Sequence, residues 1–217
     1  MAQFTELPHV EWTAADVVAR FGPIPIHRIR MPPEPGTATE DDVLAVHDRE
    51  NRLCELVEGT LVEKTVGNYE SYLAVRLATR LERHVEEHNL GLVLGADGMM
   101  RLAPGLVRIP DVSFISWDRL PGRHIPEQPI WRLAPDLAVE VISAGNTREE
   151  MDRKLHEYFE AGVREAWYVY PPTRELHRYT APNRATVYAE NDALDGGDLL
   201  PGFRLELKAF FAPPSGR

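Results

Sequence analysis

The fold is decided by two stretches of sequence, Val107-Arg-Ile-Pro-Asp-Val-Ser-Phe-Ile-Ser116 and Pro135-Asp-Leu-Ala-Val-Glu-Val-Ile-Ser143. Residues 107–116 and 136–143 are each predicted to form one continuous strand. Apolar residues fall on both faces of these runs, which is typical of covered strands inside a sheet. Each run carries one carboxylate, Asp111 or Glu140, where an apolar side chain would cost less to bury.

Length and composition indicate a soluble globular protein. The chain has 217 residues, of which 43% are apolar and 27% charged, so it can bury a sizeable core. No apolar run approaches the ~20 residues that cross a bilayer, and the first residues lack the pattern of a secretory signal. Cys54 is the only cysteine, which rules out an intramolecular disulfide and favours a cytoplasmic location.

The net charge of −10 limits the partners that the chain is expected to bind. Nucleic-acid-binding domains are usually basic, so contact with DNA or RNA would require a local basic patch. Arg76, Arg80 and Arg83 form such a stripe at helical spacing. The competing interpretation is a solvated face on which these arginines pair with neighbouring glutamates.

The chain is predicted to consist of an N-terminal extension, residues 1–51, and one domain, residues 52–217. Within the extension, a short helix with Thr13 as N-cap is expected at 12–22, an irregular proline-rich run at 23–36, and a second helix at 41–51.

The domain itself is predicted to be α/β, with helices on both faces of a mixed β-sheet. A hairpin turns at Glu58-Gly59, and a helix ended by Gly91 follows over 68–88. The capping box Thr147-Arg-Glu-Glu150 begins the next helix. The remaining predicted elements are strands at 91–95, 98–103, 165–170, 175–180 and 185–189, and a last helix at 207–211.

Asp111, Glu140 and Lys154 are the candidate catalytic residues. Two strand carboxylates are the ligands that a hard divalent cation such as Mg²⁺ takes from a protein, and a nearby ammonium can orient water or stabilise a charged phosphate. Lys154 lies on the flank of the buried stripe of its helix, from which a long side chain can reach the strand. The alternative is that each acid is only a hydrogen-bonded structural residue.

Several other residues have competing interpretations. Glu70 faces inward at a helix N-terminus and is either a fourth site residue or an acid favoured by the helix dipole. Glu55 and Glu58 flank the hairpin turn and are predicted to be solvated, with a position at the edge of the site as the alternative. Asp136 would lie about 13 Å from Glu140, too far to share a metal ion. His84-Val-Glu-Glu-His88 matches a zinc-protease pattern, but no third ligand follows it in a helical context.

Taken in order, these motifs resemble the Uma2 family, a branch of the PD-(D/E)XK nuclease superfamily. The similarity covers about 52–212 and includes Ile-Pro-Asp111, the run ending in Glu140, Lys154, and Trp-Tyr-Val169. It implies a restriction-endonuclease-like fold with Asp111 and Glu140 as metal ligands. The superfamily places a lysine two residues after the second acid, and here that residue is Ile142. The resemblance implies that in this branch the lysine lies on the following helix instead, at Lys154.

The functional hypothesis is an endonuclease that hydrolyses the phosphodiester bonds of DNA with Mg²⁺ or Mn²⁺. Asp111 and Glu140 would bind the metal, Lys154 would position the nucleophile or stabilise the transition state, and Glu70 would assist. A homodimer is expected, because cutting both strands needs two sites. The alternative is a degenerate nuclease fold that binds a partner without hydrolysis, which Ile142 and the acidic charge favour.

Overall fold

The computed structural model describes residues 12–65 and 67–213, so the first 11 residues of the predicted extension and the last four of the predicted domain lie outside it. Its α-helices are α1 (Ala14–Phe21), α2 (Glu40–Glu50), α3 (Asn68–Glu87), α4 (Arg148–Glu160) and α5 (Leu207–Phe211). Its strands are β1 (Cys54–Val57), β2 (Thr60–Glu63), β3 (Gly91–Leu94), β4 (Met99–Ala103), β5 (Leu106–Arg108), β6 (Val112–Ser116), β7 (Ile130–Trp131), β8 (Leu137–Val141), β9 (Glu165–Tyr170), β10 (Glu175–Ala181), β11 (Arg184–Tyr188), β12 (Ala193–Asp195) and β13 (Arg204–Glu206).

Two sheets hold most of the strands. The first has the order β2-β1-β5-β4-β7, and the second the order β11-β10-β9-β8-β6-β3, with β12 and β13 paired separately. In the second sheet β8 runs parallel to β9 and antiparallel to β6, so the predicted mixed sheet is confirmed. The predicted hairpin turn at Glu58-Gly59 is also confirmed, since both residues have the positive φ that such tight turns require.

Helices cover both faces of the second sheet, as the sequence predicts. Leu73 and Leu77 of α3 pack with Val139 of β8 in one core cluster. Tyr158 of α4 packs with Ala138 of β8 in another cluster. Alternate residues of β8 therefore face opposite helices, and Glu140 follows the alternation on the α4 side.

The N-terminal helices pack on the first sheet. Each begins with a capping box, Thr13 with Asp16 in α1 and Thr39 with Asp42 in α2. Apolar residues of both helices are buried against the β1–β2 hairpin in two clusters, which include Val17 and Phe21 with Val57, and Val43 and Val46 with Leu56.

The prediction of one strand over 107–116 is wrong. The run divides into β5, which belongs to the first sheet, and β6, which belongs to the second. Pro110 lies at the division, where its missing N–H cannot extend a ladder. Asp111 is therefore placed where the two sheets diverge rather than inside a regular strand.

The predicted end of α3 needs a smaller correction. Gly91 does not end the helix but begins β3, where a Cβ atom would come 2.0 Å from the carbonyl oxygen of Ile115. Asn89, with φ of 52°, makes the left-handed turn after the helix. Among the described residues, no helix is both long and apolar enough to cross a membrane.

Candidate active site

Asp111 is fastened to the end of β8, next to Glu140. Its N–H donates to the carbonyl oxygen of Val139 at 2.9 Å, and its Oδ2 accepts from the N–H of Val141 at 2.8 Å. These two residues flank Glu140 on β8, so the structure brings the two predicted metal ligands together. The charge of Asp111 is close enough to contribute to the raised pKa of Glu140.

Glu140 is buried and tied to α4. Its Oε1 accepts a hydrogen bond from the hydroxyl of Tyr158 and lies 3.2 Å from Nζ of Lys154. Burial raises the pKa of Glu140; the positive charge of Lys154 opposes this rise, and Asp111 adds to it. Both contacts use the same carboxylate oxygen, Oε1.

Lys154 lies beneath Glu140 rather than in open solvent. The capping box of Thr147 and Glu150 starts α4, and the side chain of Lys154 is only 3% exposed. Its Nζ donates to Oε1 of Glu55 at 3.1 Å and contacts Glu140. Burial by itself would lower the pKa of Lys154, but Glu140 and Glu55 outweigh it and raise that pKa above its usual value.

Glu55 is a residue that the sequence analysis placed wrongly. It is buried in β1 and not solvated, whereas Glu58 is exposed as predicted. Its carboxylate accepts from Arg108 at 2.7 Å and from the N–H of Ile109 at 3.0 Å, besides Lys154. Burial would raise the pKa of Glu55, but Lys154 and Arg108 outweigh it and hold that pKa far below its usual range.

Lys64 is a second residue that the sequence analysis missed. It follows β2, and its Nζ lies 2.9 Å from Oδ1 of Asp111 and also donates to the carbonyl oxygen of Ile109. No periodic pattern marks this position, because the contact joins the two sheets. The signal for Glu55 was present, since it is an acid between apolar residues of a strand, like Asp111 and Glu140.

Glu70 borders a cleft beside these residues. Two adjoining cavities, each of ≈ 400 Å³, share Lys64, Thr65, Gly67 and Glu70 in their walls. One cavity reaches Asp111 and Val141, and the other reaches residues 143–145 and Arg28. Neither is lined by Glu140 or Lys154, which lie below the surface of the cleft.

Glu70 is held close to the start of α3. A Cβ atom at Gly67 would come 1.9 Å from Oε2 of Glu70, so a side chain there would require that carboxylate to shift. The structure therefore places Glu70 and Asp111 in the walls of one cleft. It also leaves the helix-dipole interpretation of Glu70 standing, because the residue lies in the first turn of α3.

The residues of the competing motifs make hydrogen bonds, ion pairs and ring contacts that account for them as structural residues. Asp136, near the start of β8, accepts from the N–H of Ser116 at 2.8 Å and pairs with Arg119 at 3.0 Å. The rings of His84 and His88 stack on each other, and His84 contacts the carbonyl of Pro201. Within residues 12–65 and 67–213, no three His, Cys, Asp or Glu side chains converge as a metal site.

The arginine stripe also has a partner other than the predicted glutamates. Arg76 donates to the carbonyl oxygens of Ala209 and Ala212, both at 2.8 Å, at the end of the C-terminal helix α5. Arg80 donates to the carbonyl oxygen of Arg76. Arg76 therefore fastens α5 to α3 through hydrogen bonds that complete the last turn of α5.

Asp111 in the wall of the cleft and Glu140 buried beside it carry ligand groups of the type that suits a hard divalent cation. Asp111 and Glu140 supply carboxylate oxygens, the ligand type that Mg²⁺ and Mn²⁺ take from proteins. A cationic group already sits beside them, since the ammonium of Lys64 lies between the carboxylate of Asp111 and the carbonyl of Ile109. Two carboxylates are a sufficient protein contribution where water and substrate phosphate supply the remaining ligands.

A solved structure is similar in fold. It is the crystal structure of "a putative nuclease belonging to DUF820" from Anabaena variabilis, which matches with a TM-score of 0.65 at 16% sequence identity. The match covers 73% of this chain and 89% of that one. At this identity the likeness establishes the fold alone. No curated protein matches the chain.

Family membership rests on the sequence match together with this fold. The model of the Uma2 family, described as "Putative restriction endonuclease", matches residues 40–208. The match begins inside the predicted extension, at the start of α2, and includes Asp111, Glu140, Lys154 and Glu70. The chain belongs to the Uma2 family and has its nuclease-like fold.

Proposed function

We propose that this protein is a metal-dependent endonuclease that hydrolyses phosphodiester bonds of DNA. The observation that carries the proposal is the attachment of the Asp111 carboxylate to the N–H of Val141, directly beside Glu140 and at the wall of an open cleft. Membership of a family described as restriction endonucleases supports the choice of DNA as substrate.

Asp111 and Glu140 would hold Mg²⁺ or Mn²⁺. When bound, such an ion polarises the phosphate and lowers the pKa of an attacking water. Asp111 is held in place by the backbone of β8, and Glu140 is oriented by Tyr158 and Lys154. The carboxylates are therefore positioned before substrate arrives, which avoids reorganisation during the reaction.

Lys154 is a positioning residue in this proposal. The sequence alone suggests that it touches the nucleophile or the transition state, but its ammonium is enclosed between Glu55 and Glu140. It orients Glu140 through their ion pair. Glu70 lies in the cleft wall, where a carboxylate can accept a proton from, or orient, the attacking water.

The proposal is tested by incubating supercoiled plasmid, single-stranded DNA and RNA with the protein and Mg²⁺ or Mn²⁺. Wild-type protein is expected to cut DNA only with the metal, and Asp111→Asn is expected to lower the rate by about 100-fold or more. Asp136→Asn is not a suitable control because Asp136 is buried, so the exposed Asp118→Asn serves. Metal-dependent cleavage at equal rates by wild type and Asp111→Asn would rule out the assigned site.

A second candidate is a nuclease fold that binds nucleic acid without cutting it. The observation that favours it is charge balance, since the acids Glu55, Asp111 and Glu140 are already paired with Lys64, Arg108 and Lys154. Saturable binding of a DNA duplex in EDTA, with no cleavage in either metal, would support this candidate over the first. The proposed homodimer is tested separately by the mass of the protein in solution.

A further inference from the structure

The ammonium of Lys64 contacts oxygen atoms that a divalent cation would use as ligands. Its ammonium contacts one carboxylate oxygen of Asp111 at 2.9 Å and the carbonyl oxygen of Ile109. Carboxylate and carbonyl oxygens are the ligand types of Mg²⁺ and Mn²⁺. The other oxygen of Asp111 is engaged by the N–H of Val141, so Oδ1 is the oxygen for which Lys64 and a metal ion compete.

The competition between Lys64 and a metal ion matters because the carboxylates around the site are already paired with cationic side chains. Around the site, the carboxylates of Glu55, Asp111 and Glu140 face the cationic groups of Lys64, Arg108 and Lys154, and Arg108 also pairs with Glu157. Adding a dication to this set would leave excess positive charge in a partly buried place, which is unfavourable where water screens poorly. Withdrawal of a resident cation from its carboxylate would therefore favour binding of the dication.

Lys64 is the cationic group that is able to withdraw. Its side chain is 8% exposed, and it lies in the walls of both cavities of the cleft, which give it space to turn towards solvent. Lys154 and Arg108 are each 3% exposed and are each bound to two carboxylates. Moving either of these would leave buried carboxylates unpaired, which is strongly unfavourable.

We propose that Lys64 is an exchangeable internal cation that neutralises Asp111 in the metal-free protein and leaves it when a divalent ion binds. The proposal rests on the proposed function, because it takes Asp111 as a metal ligand. Lys64 then sets the metal affinity, and its freed ammonium enters the cleft where substrate phosphate would lie.

The experiment measures binding of Mn²⁺ alone by calorimetry, so it needs neither substrate nor activity. Lys64→Met removes the competing charge and is expected to bind Mn²⁺ about tenfold more tightly than wild type. Lys64→Arg keeps the charge and is expected to bind as wild type does. Lys208→Met removes an exposed charge on α5 and is the matched control, also with wild-type affinity. Lys64→Gln replaces Lys64→Met if circular dichroism shows that the methionine variant is unfolded.

The possible results separate this proposal from the proposed function. Tighter binding by Lys64→Met that is lost in the double variant with Asp111→Asn supports the exchange. Unchanged or weaker binding by Lys64→Met, with wild-type binding still dependent on Asp111, overturns the exchange and leaves the metal site intact. Absence of saturable Mn²⁺ binding in both wild type and Lys64→Met overturns the metal site and the exchange together.

Discussion

Lys154 and Glu55, 99 residues apart in sequence, meet at 3.1 Å between the two sheets. Lys154 comes from α4 on the second sheet, and Glu55 comes from β1 in the first. The same ammonium contacts Glu140, so this ion pair joins the framework of the protein to the candidate metal ligand. Stability and the geometry of the site are therefore expected to depend on the same buried charges.

Glu55→Gln is predicted to destabilise the protein by about 3–5 kcal/mol, because it leaves Lys154 and Arg108 with less compensating charge in a buried place. Chemical denaturation at neutral pH measures the free energy of unfolding. Glu58→Gln, in the exposed turn of the same hairpin, is the control and is expected to change stability by less than about 1 kcal/mol. Equal effects of the two substitutions would contradict the structural role of Glu55.

The pH dependence of stability is predicted to differ in sign for Glu55 and Glu140. The pKa of Glu55 is lowered on folding. Glu55 therefore stabilises the folded state at pH values above 4.5, the usual pKa of a glutamate, and this stabilisation is lost as the pH falls towards the folded pKa. The pKa of Glu140 is raised on folding. Glu140 therefore contributes to the free energy of unfolding at pH values below 4.5, and this contribution is lost as the pH rises through the folded pKa.

Glu55→Gln should therefore reduce the loss of stability on the acid side of 4.5, and Glu140→Gln should reduce the loss above it. Unfolding free energies of wild type and both variants across this range check the prediction. Parallel curves for all three proteins would show that neither group is shifted in the direction given.

Arg28→Ala is predicted to loosen the N-terminal extension. Arg28 binds Glu150 through two hydrogen bonds of 2.6 and 2.8 Å, and both side chains are buried. Leaving Glu150 unpaired should cost about 3–5 kcal/mol, seen as faster proteolysis before residue 52 and a lower free energy of unfolding. Arg20→Ala, whose pair with Glu58 is exposed, is the control with an expected change of about 0–1 kcal/mol.

Glu70→Gln is predicted to lower the rate of DNA cleavage by about 100-fold, if Glu70 moves a proton in the cleft. Its effect on the free energy of unfolding should stay within about 0.5 kcal/mol, because Glu70 is partly exposed. Glu86→Gln, exposed near the other end of α3, is the matched control and should keep the wild-type rate. A wild-type rate in Glu70→Gln would leave the residue only a helix-dipole role.

The candidate site was predictable from sequence only in part. Asp111 and Glu140 stood out because a carboxylate among apolar strand residues is costly to bury, and Lys154 stood out because it lies on the flank of the buried stripe of the helix that follows the second strand. Glu55 carried the same signal, but its position beside a hairpin turn suggested solvent exposure. Lys64 carried no local signal, because its side-chain contacts with Ile109 and Asp111 are made 45 and 47 residues away.

By itself, the sequence determined the helices, the capping box that begins α4, the hairpin turn and the acids that lie inside strands. These features depend on neighbours within a few residues, which is the range of periodicity, capping and turn formation. Only the tertiary structure decided that 107–116 divides between two sheets at Pro110, and that Lys64 reaches Asp111 while Lys154 reaches Glu55. Those choices depend on which strands pair and which charges must be compensated where water is excluded.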